Sequence, residues 1–182
     1  MLTGSKDKSI GIVSNGQLCC RLQKAHKAPI SALTHIESGI FASGDDDGGL
    51  KIWDIRSQAE TAVKPVISFS QQTETITELV MEEDKGTLLA TSNDGTLTAY
   101  DLRQTKGGIQ DHSNSFEEDL LSLAVLKHGS KVVVGSQEGS LHIFSRGLLQ
   151  VSDDRLKGHP LSVDTIVLIG ITKNRQKSMK IR

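Results

Sequence analysis

The chain has 182 residues, a formal net charge of −1, and only 3% aromatic residues against 36% hydrophobic ones overall. So even a charge balance provides no global field to attract nucleic acid or an acidic membrane, and so few aromatic rings leave few platforms for stacked bases. No apolar run reaches the roughly 18 residues of a membrane span and no signal-peptide core opens the chain, so a soluble, intracellular chain is expected, with no direct nucleic-acid binding and no membrane contact.

Met1-Leu2-Thr3-Gly4-Ser5-Lys6-Asp7-Lys8-Ser9-Ile10-Gly11-Ile12-Val13 reads as the end of one strand, a polar turn and a second strand. Gln17 to Leu22 follows as a third strand containing adjacent cysteines, Cys19 and Cys20. Neighbours on an extended strand point to opposite faces, so a disulfide between them would be strained, and two ordinary thiols are expected. No Cys/His cluster has zinc spacing.

A complete unit begins at Ala25-His26, with strands predicted at Pro29–Leu33, Ile40–Ser43, Leu50–Asp54 and Val66–Phe69. Between the second and third lies Asp45-Asp46-Asp47-Gly48-Gly49, a hairpin signal because glycine accepts the positive φ of tight turns. The pattern returns as Leu88–Asp101 around Asn93-Asp94-Gly95-Thr96, and as Val132–Ser145 around Gln137-Glu138-Gly139-Ser140. Val13, Trp53, Tyr100 and Phe144 fill one slot at steps of 40, 47 and 44 residues. That period is the four-stranded blade of a WD-repeat propeller. Continuous apolar first strands such as Leu120–Leu126 suit blades covered on both faces by their neighbours.

The sequence therefore predicts an all-β chain, a partial WD-repeat β-propeller with three whole blades and two partial ones. Residues 1–25 end a broken blade; 26–70, 71–110 and 111–158 are repeats. Residues 159–169 open an unfinished one, with Val163 and Ile166 four and seven residues after His159, as Ile30 and Leu33 follow His26. Residues 170–182 form a basic tail outside the repeat, expected to be either a nucleolar or nucleic-acid address or sequence without a role. Propellers close with four to eight blades, so the chain reads as a fragment of a longer one.

In the best-preserved repeat, His26, Ser43, Asp47 and Trp53 occupy the positions of a buried hydrogen-bonded tetrad tying a loop to a strand. Buried polar groups need such pairing, since each left unpaired costs roughly 1–3 kcal/mol. A Ser/His/Asp set also invites a hydrolase reading, but no Gly-x-Ser-x-Gly elbow accompanies it. The other repeats carry Gln72, Ala90, Asp94 and Tyr100, or Phe116, Val134, Glu138 and Phe144, so no set recurs. Structural use is expected and no catalytic residue is assigned. Asp45-Asp46-Asp47 lacks the spacing of an EF-hand calcium loop, and neither metal nor other cofactor is expected.

Trp53-Asp54-Ile55-Arg56 and Tyr100-Asp101-Leu102-Arg103 share a finer pattern, an aromatic, an aspartate, an apolar residue and an arginine. They resemble the box through which many WD-repeat proteins dock onto the adaptor of cullin-4 ubiquitin ligases. Asp54, Arg56, Asp101 and Arg103 are the candidate partner-binding residues, the planar guanidinium suiting an interface anchor.

Taken with Trp53-Asp54, the segments Ala42–Gly49, Glu118-Asp119-Leu120-Leu121-Ser122 and Gly135-Ser136-Gln137-Glu138-Gly139 resemble the WD repeat-containing protein 55 family, as do Asp154-Arg155 and Ser162-Val163-Asp164. The resemblance runs from about Leu2 to Val167. It implies a non-enzymatic protein of the nucleus and nucleolus that serves ribosomal RNA processing and growth among pre-ribosomal factors. In plants it implies contact with the cullin-4 ligase adaptor, and the alternative function is therefore a substrate receptor of that ligase.

Overall fold

The computed structural model describes residues 1–56, 64–82, 86–103, 108–126 and 130–169. Every regular element in them is a strand, and the strands pair antiparallel in chain order. The first sheet has three: β1 (Leu2–Gly4), β2 (Ile10–Ser14) and β3 (Gln17–Leu22). Three four-stranded sheets follow. One comprises β4 (Ile30–Glu37), β5 (Ile40–Asp45), β6 (Leu50–Asp54) and β7 (Ile67–Phe69). The next comprises β8 (Ile76–Met81), β9 (Thr87–Ser92), β10 (Leu97–Asp101) and β11 (Gly108–His112). The last comprises β12 (Leu120–Leu126), β13 (Lys131–Ser136), β14 (Ser140–Ser145) and β15 (Asp154–Lys157). Contacts between sheets run from β1 to β4, β4 to β8 and β8 to β12, so these are blades stacked side by side. The predicted tail, 170–182, lies outside the described residues.

Each pair of blades encloses its own apolar layer. Ile10, Leu22, Phe41 and Trp53 fill the first; Ala42, Leu50, Ile76, Leu88 and Tyr100 the second; Leu97, Leu120, Val132, Val134 and Phe144 the third. The aromatic of every blade therefore faces the blade before it. Trp53, Tyr100 and Phe144 are 2%, 0% and 0% exposed, which explains why one slot stays large and apolar while its chemistry varies.

Two backbone features repeat with the sheets. The first strand of each full blade carries an irregularity after its first residue, between Ile30 and Ala32, Ile76 and Glu78, and Leu120 and Ser122. At the tight turn after the second strand, Gly48, Gly95 and Gly139 have φ of 78°, 75° and 79°. A Cβ at these glycines would overlap the backbone carbonyl of Gln72, Phe116 or His159, each at the start of the following repeat. Lys8 takes the same conformation in the first sheet, at φ 70°.

Residues 159–169 occupy the place of a further first strand without pairing as one. Val163 packs on Val133 and Leu141, its amide donates to the Ser136 carbonyl (3.0 Å), and its carbonyl accepts from Ser122 (2.6 Å).

The double demand at the turn predicts that Gly95→Ala lowers stability by at least about 2 kcal/mol, because strained φ alone costs of order 1–3 kcal/mol. Lys8→Gly, which relieves the same strain, should be neutral or slightly stabilising. Urea denaturation of the two variants beside the parent chain tests both expectations.

Candidate interaction surface

The second blade holds the predicted polar chain, with one member changed. Trp53 Nε1–H donates to Ser43 Oγ (2.8 Å), and Ser43 Oγ meets His26 Nε2 at 2.6 Å. His26 Nδ1 meets Asp45 Oδ2 at 2.7 Å, so the acid is Asp45 and not Asp47. The reason is strand geometry: side chains two apart share a face, and Ser43 and Asp45 both lie on β5. Asp47 lies beyond the strand end and is exposed; only its backbone amide joins the cluster, donating to Asp45 Oδ1 (3.1 Å). Gly49 N–H donates to the same oxygen (2.7 Å), so one carboxylate both closes the turn and anchors the histidine.

One proton arrangement satisfies every group. The indole N–H donates to Ser43, the hydroxyl donates to Nε2 of a neutral His26, and Nδ1–H donates to Asp45. Burial, the largest influence, holds the His26 pKa below its ordinary value although Asp45 pulls it upward. Ser43 is 0% exposed with its oxygen engaged on both sides, so it cannot act as a nucleophile on an external substrate.

The next blade fills the same slots differently. Ala90 replaces the bridging serine, and Gln72 Nε2 donates instead to the Ala90 carbonyl (3.3 Å). Asp94 caps its own turn through the Thr96 amide (3.0 Å) and holds the incoming loop through the Thr73 amide (2.8 Å).

The last blade uses residues that the sequence reading did not assign. Glu118, 9% exposed, accepts from Ser136 Oγ (2.5 Å), His142 Nε2 (2.9 Å) and Arg155 Nη2 (2.6 Å). Arg155 also donates from Nε to Ser140 Oγ (3.2 Å), tying the outermost strand, β15, to the blade interior. Burial raises the Glu118 pKa, but Ser136, His142 and Arg155 together outweigh it and hold the carboxyl below its usual range. Phe116 packs edge-on to Phe144 at 5.9 Å, and Glu138 stands outside at 3.6 Å from Arg155. The available signal was a polar pair, Ser136 and His142, inside an otherwise apolar hairpin.

The two predicted docking boxes share one geometry. Arg56 donates from Nε (3.1 Å) and Nη2 (2.9 Å) to Asp54, whose pKa its hydrogen bonds lower, and reaches Glu37 at 3.4 Å. Arg103 lies 3.5 Å from Asp101, and each arginine's own amide is capped by the same aspartate at 2.9 Å. The arginine stems cross Gly39 and Gly86, where a Cβ would collide with them. Both arginine side chains remain more than half exposed. A cleft of about 770 Å³ between the two blades is lined by Asp54, Arg103, Ile36, Ile67 and Met81. The two boxes thus flank one opening between adjacent blades.

Cys19 and Cys20 are both free thiols. Among the described residues no group of three or more His, Cys, Asp or Glu could hold a metal ion, and no helix is long and apolar enough to cross a membrane.

These blades and their buried polar ties define a WD-repeat propeller protein. Residues 17–54 match the family model of the WD domain, G-beta repeat. A computationally designed, propeller-like protein named Ika8 matches 93% of the chain and 49% of its own with a TM-score of 0.75, at 21% sequence identity. The sequence is similar to that of WD repeat-containing protein 55 from several mammals. It is 33% identical to the Rattus norvegicus protein of that name and 34% identical to the Mus musculus one, each over 92% of this chain. WD repeat-containing protein JIP5 of Cryptococcus neoformans is 36% identical over 85% of it. The chain spans 42% of the length of the two mammalian relatives.

Asp45→Ala should destabilise the chain by about 3 kcal/mol, since it strands a buried histidine, whereas Asp47→Ala should stay within about 0.5 kcal/mol. Equal effects in denaturant titrations would restore Asp47 to the tetrad. His26 and His142 both have pKa values lowered first by burial, so each takes up a proton on unfolding. The unfolded chain then binds more protons below about pH 6.5, and stability should fall as pH drops from 7 to 5. Urea midpoints at the two pH values measure this.

Proposed function

We propose that this WD-repeat interaction scaffold serves nucleolar ribosome biogenesis by holding pre-ribosomal factors during rRNA processing, in the nucleus and nucleolus. The observation that supports this reading most is the sequence likeness to WD repeat-containing protein 55 along 92% of the chain. The polar clusters are consistent with a scaffold, because the hydrogen bonds they make tie loops and edge strands to the blades. Affinity purification of the tagged chain from nucleolar extract, with mass spectrometry, should recover pre-ribosomal factors. Their absence would remove the proposal.

A second reading rests on a separate observation, the two matching Asp–Arg clamps on adjacent blades. The chain would then act as substrate receptor of a cullin-4 ligase, with Arg56 and Arg103 entering the adaptor. Such anchors typically cost 2 kcal/mol or more when truncated. Arg56→Ala with Arg103→Ala should abolish co-purification of adaptor and cullin and leave the circular dichroism spectrum unchanged. Unchanged recovery would leave the scaffold reading alone.

A further inference from the structure

The third blade keeps the positions of the tetrad and loses its bridge. Gln72, Ala90, Ser92 and Tyr100 stand where the blade before has His26, Ser43, Asp45 and Trp53. Strand register fixes the match: Ala90 opposes Thr98 and Leu88 opposes Tyr100, as Ser43 opposes Lys51 and Phe41 opposes Trp53. In the second blade the Ser43 hydroxyl accepts from the indole (2.8 Å) and meets the histidine (2.6 Å). Alanine has no group for either task.

A donor and an acceptor are left over on the same seam. Tyr100 Oη and Gln72 Oε1 are buried and have no hydrogen-bond partner among the described residues. Tyr100 is 0% exposed and Gln72 3%. Gln72 Nε2 is spent on the Ala90 carbonyl (3.3 Å), which holds the end of the side-chain amide against that residue. Burial pushes the Tyr100 pKa up, so its oxygen keeps its proton and can donate. Thr98 also bears on that hydroxyl, but Thr98 Oγ1 lies 2.7 Å from His112 Nδ1. Two buried polar groups without partners each forfeit their hydration with nothing in return.

The surrounding packing has adjusted for size and not for polarity. Phe69 opposes Leu50 as Leu22 opposes Ile10, so phenylalanine replaces leucine against the aromatic slot. It packs on Tyr100 with ring centroids 4.5 Å apart and takes up volume lost between tryptophan and tyrosine. The changes from serine to alanine and from aspartate to serine remove polar atoms as well. Ser92 Oγ turns to the Glu74 carbonyl (3.2 Å), where Asp45 turns to the histidine.

We propose that one buried water lies beside Ala90 in the third blade, accepting from the Tyr100 hydroxyl and donating to Gln72 Oε1. It takes the part that the Ser43 hydroxyl plays in the second blade. The pair selects this ligand by its chemistry, since the occupant has to accept and donate at once and be no larger than a hydroxyl group. A cation finds no carboxylate in the set, because the counterpart of Asp45 is a serine, and an apolar occupant leaves both groups unpaired. Buried waters typically bond two to four polar groups, and a water bridge holds its partners nearly as well as a direct hydrogen bond. The loop carrying Gln72 is then tied to β10 through an exchangeable molecule, where the loop carrying His26 is tied to β6 through a side chain.

Urea denaturation of the full chain tests this by sign. Tyr100→Phe removes the hydroxyl alone and should lower the midpoint by about 0.3–1 M. A midpoint that stays or rises means that the hydroxyl had no partner, and overturns the proposal. A loss caused by Thr98 instead is separated by a double-mutant cycle with Gln72→Met. A shared water makes the two losses less than additive, and strict additivity overturns the bridge. Ala90→Ser should raise the midpoint, because its hydroxyl replaces the water; a lower midpoint shows that the two groups do not converge there. A crystal structure of the parent chain should hold water density within hydrogen-bond distance of both Tyr100 Oη and Gln72 Oε1, and that of Ala90→Ser should not. Parent density with no such molecule overturns the proposal directly.

Discussion

Everything in this arc depends on how closely one repeat can approach the turn of the repeat before it. At Gly48, Gly95 and Gly139 the backbone is left-handed and the next repeat's carbonyl sits where a side chain would begin. That contact sets where each new repeat enters. It brings the first strand of the new blade against the second strand of the old one, where Ile76 covers Gly44 and Val163 covers Gly135 as Ile30 covers Gly4. The apolar layers between blades are filled only because this spacing is held. Glycine recurs at the turn for two reasons, then: its φ, and the space that its missing Cβ leaves to another part of the chain.

Around that shared frame the polar interior is free to change. One blade links Trp53, Ser43, His26 and Asp45; another relies on Asp94 and the Gln72 amide; the last gathers Ser136, His142 and Arg155 around Glu118. Each solution ties an entering loop or an outer strand to the blade interior. Net gains near 1 kcal/mol per hydrogen bond make the solutions interchangeable in energy, provided no buried group is abandoned. Degeneracy of the repeat is thus a set of local substitutions that meet this requirement unequally, since Gln72 Oε1 and His142 Nδ1 are buried without a hydrogen-bond partner among the described residues.

This explains what was legible in the sequence. Strand positions followed from the repeat: Leu50–Asp54 and Leu120–Leu126 coincide with β6 and β12. The buried aromatic slot was legible too, because size and apolarity persist from Trp53 through Tyr100 to Phe144. The acid of the tetrad was missed because three adjacent aspartates share the turn, and only strand alternation with Ser43 distinguishes Asp45. Glu118 was missed because its partners lie 18, 24 and 37 residues away, on three different strands, so no local pattern announces them. The arginine clamps were visible as motifs, but their stems crossing Gly39 and Gly86 were not, since that packing joins segments far apart in sequence at one end of a blade.

The strict chain order of the strands has a consequence for how such a molecule comes to exist. In every full sheet the innermost strand is the first to be synthesised and the outermost the last, and each pairs only with neighbours in sequence. A ribosome adding roughly 5–20 residues per second takes seconds to complete one repeat of about 45, whereas a hairpin closes in roughly 1–10 μs. Each blade can therefore form before the next has emerged, against a predecessor already in place. The arc can grow during translation from its N-terminal end, with folding paced by synthesis instead of by any search among distant strands.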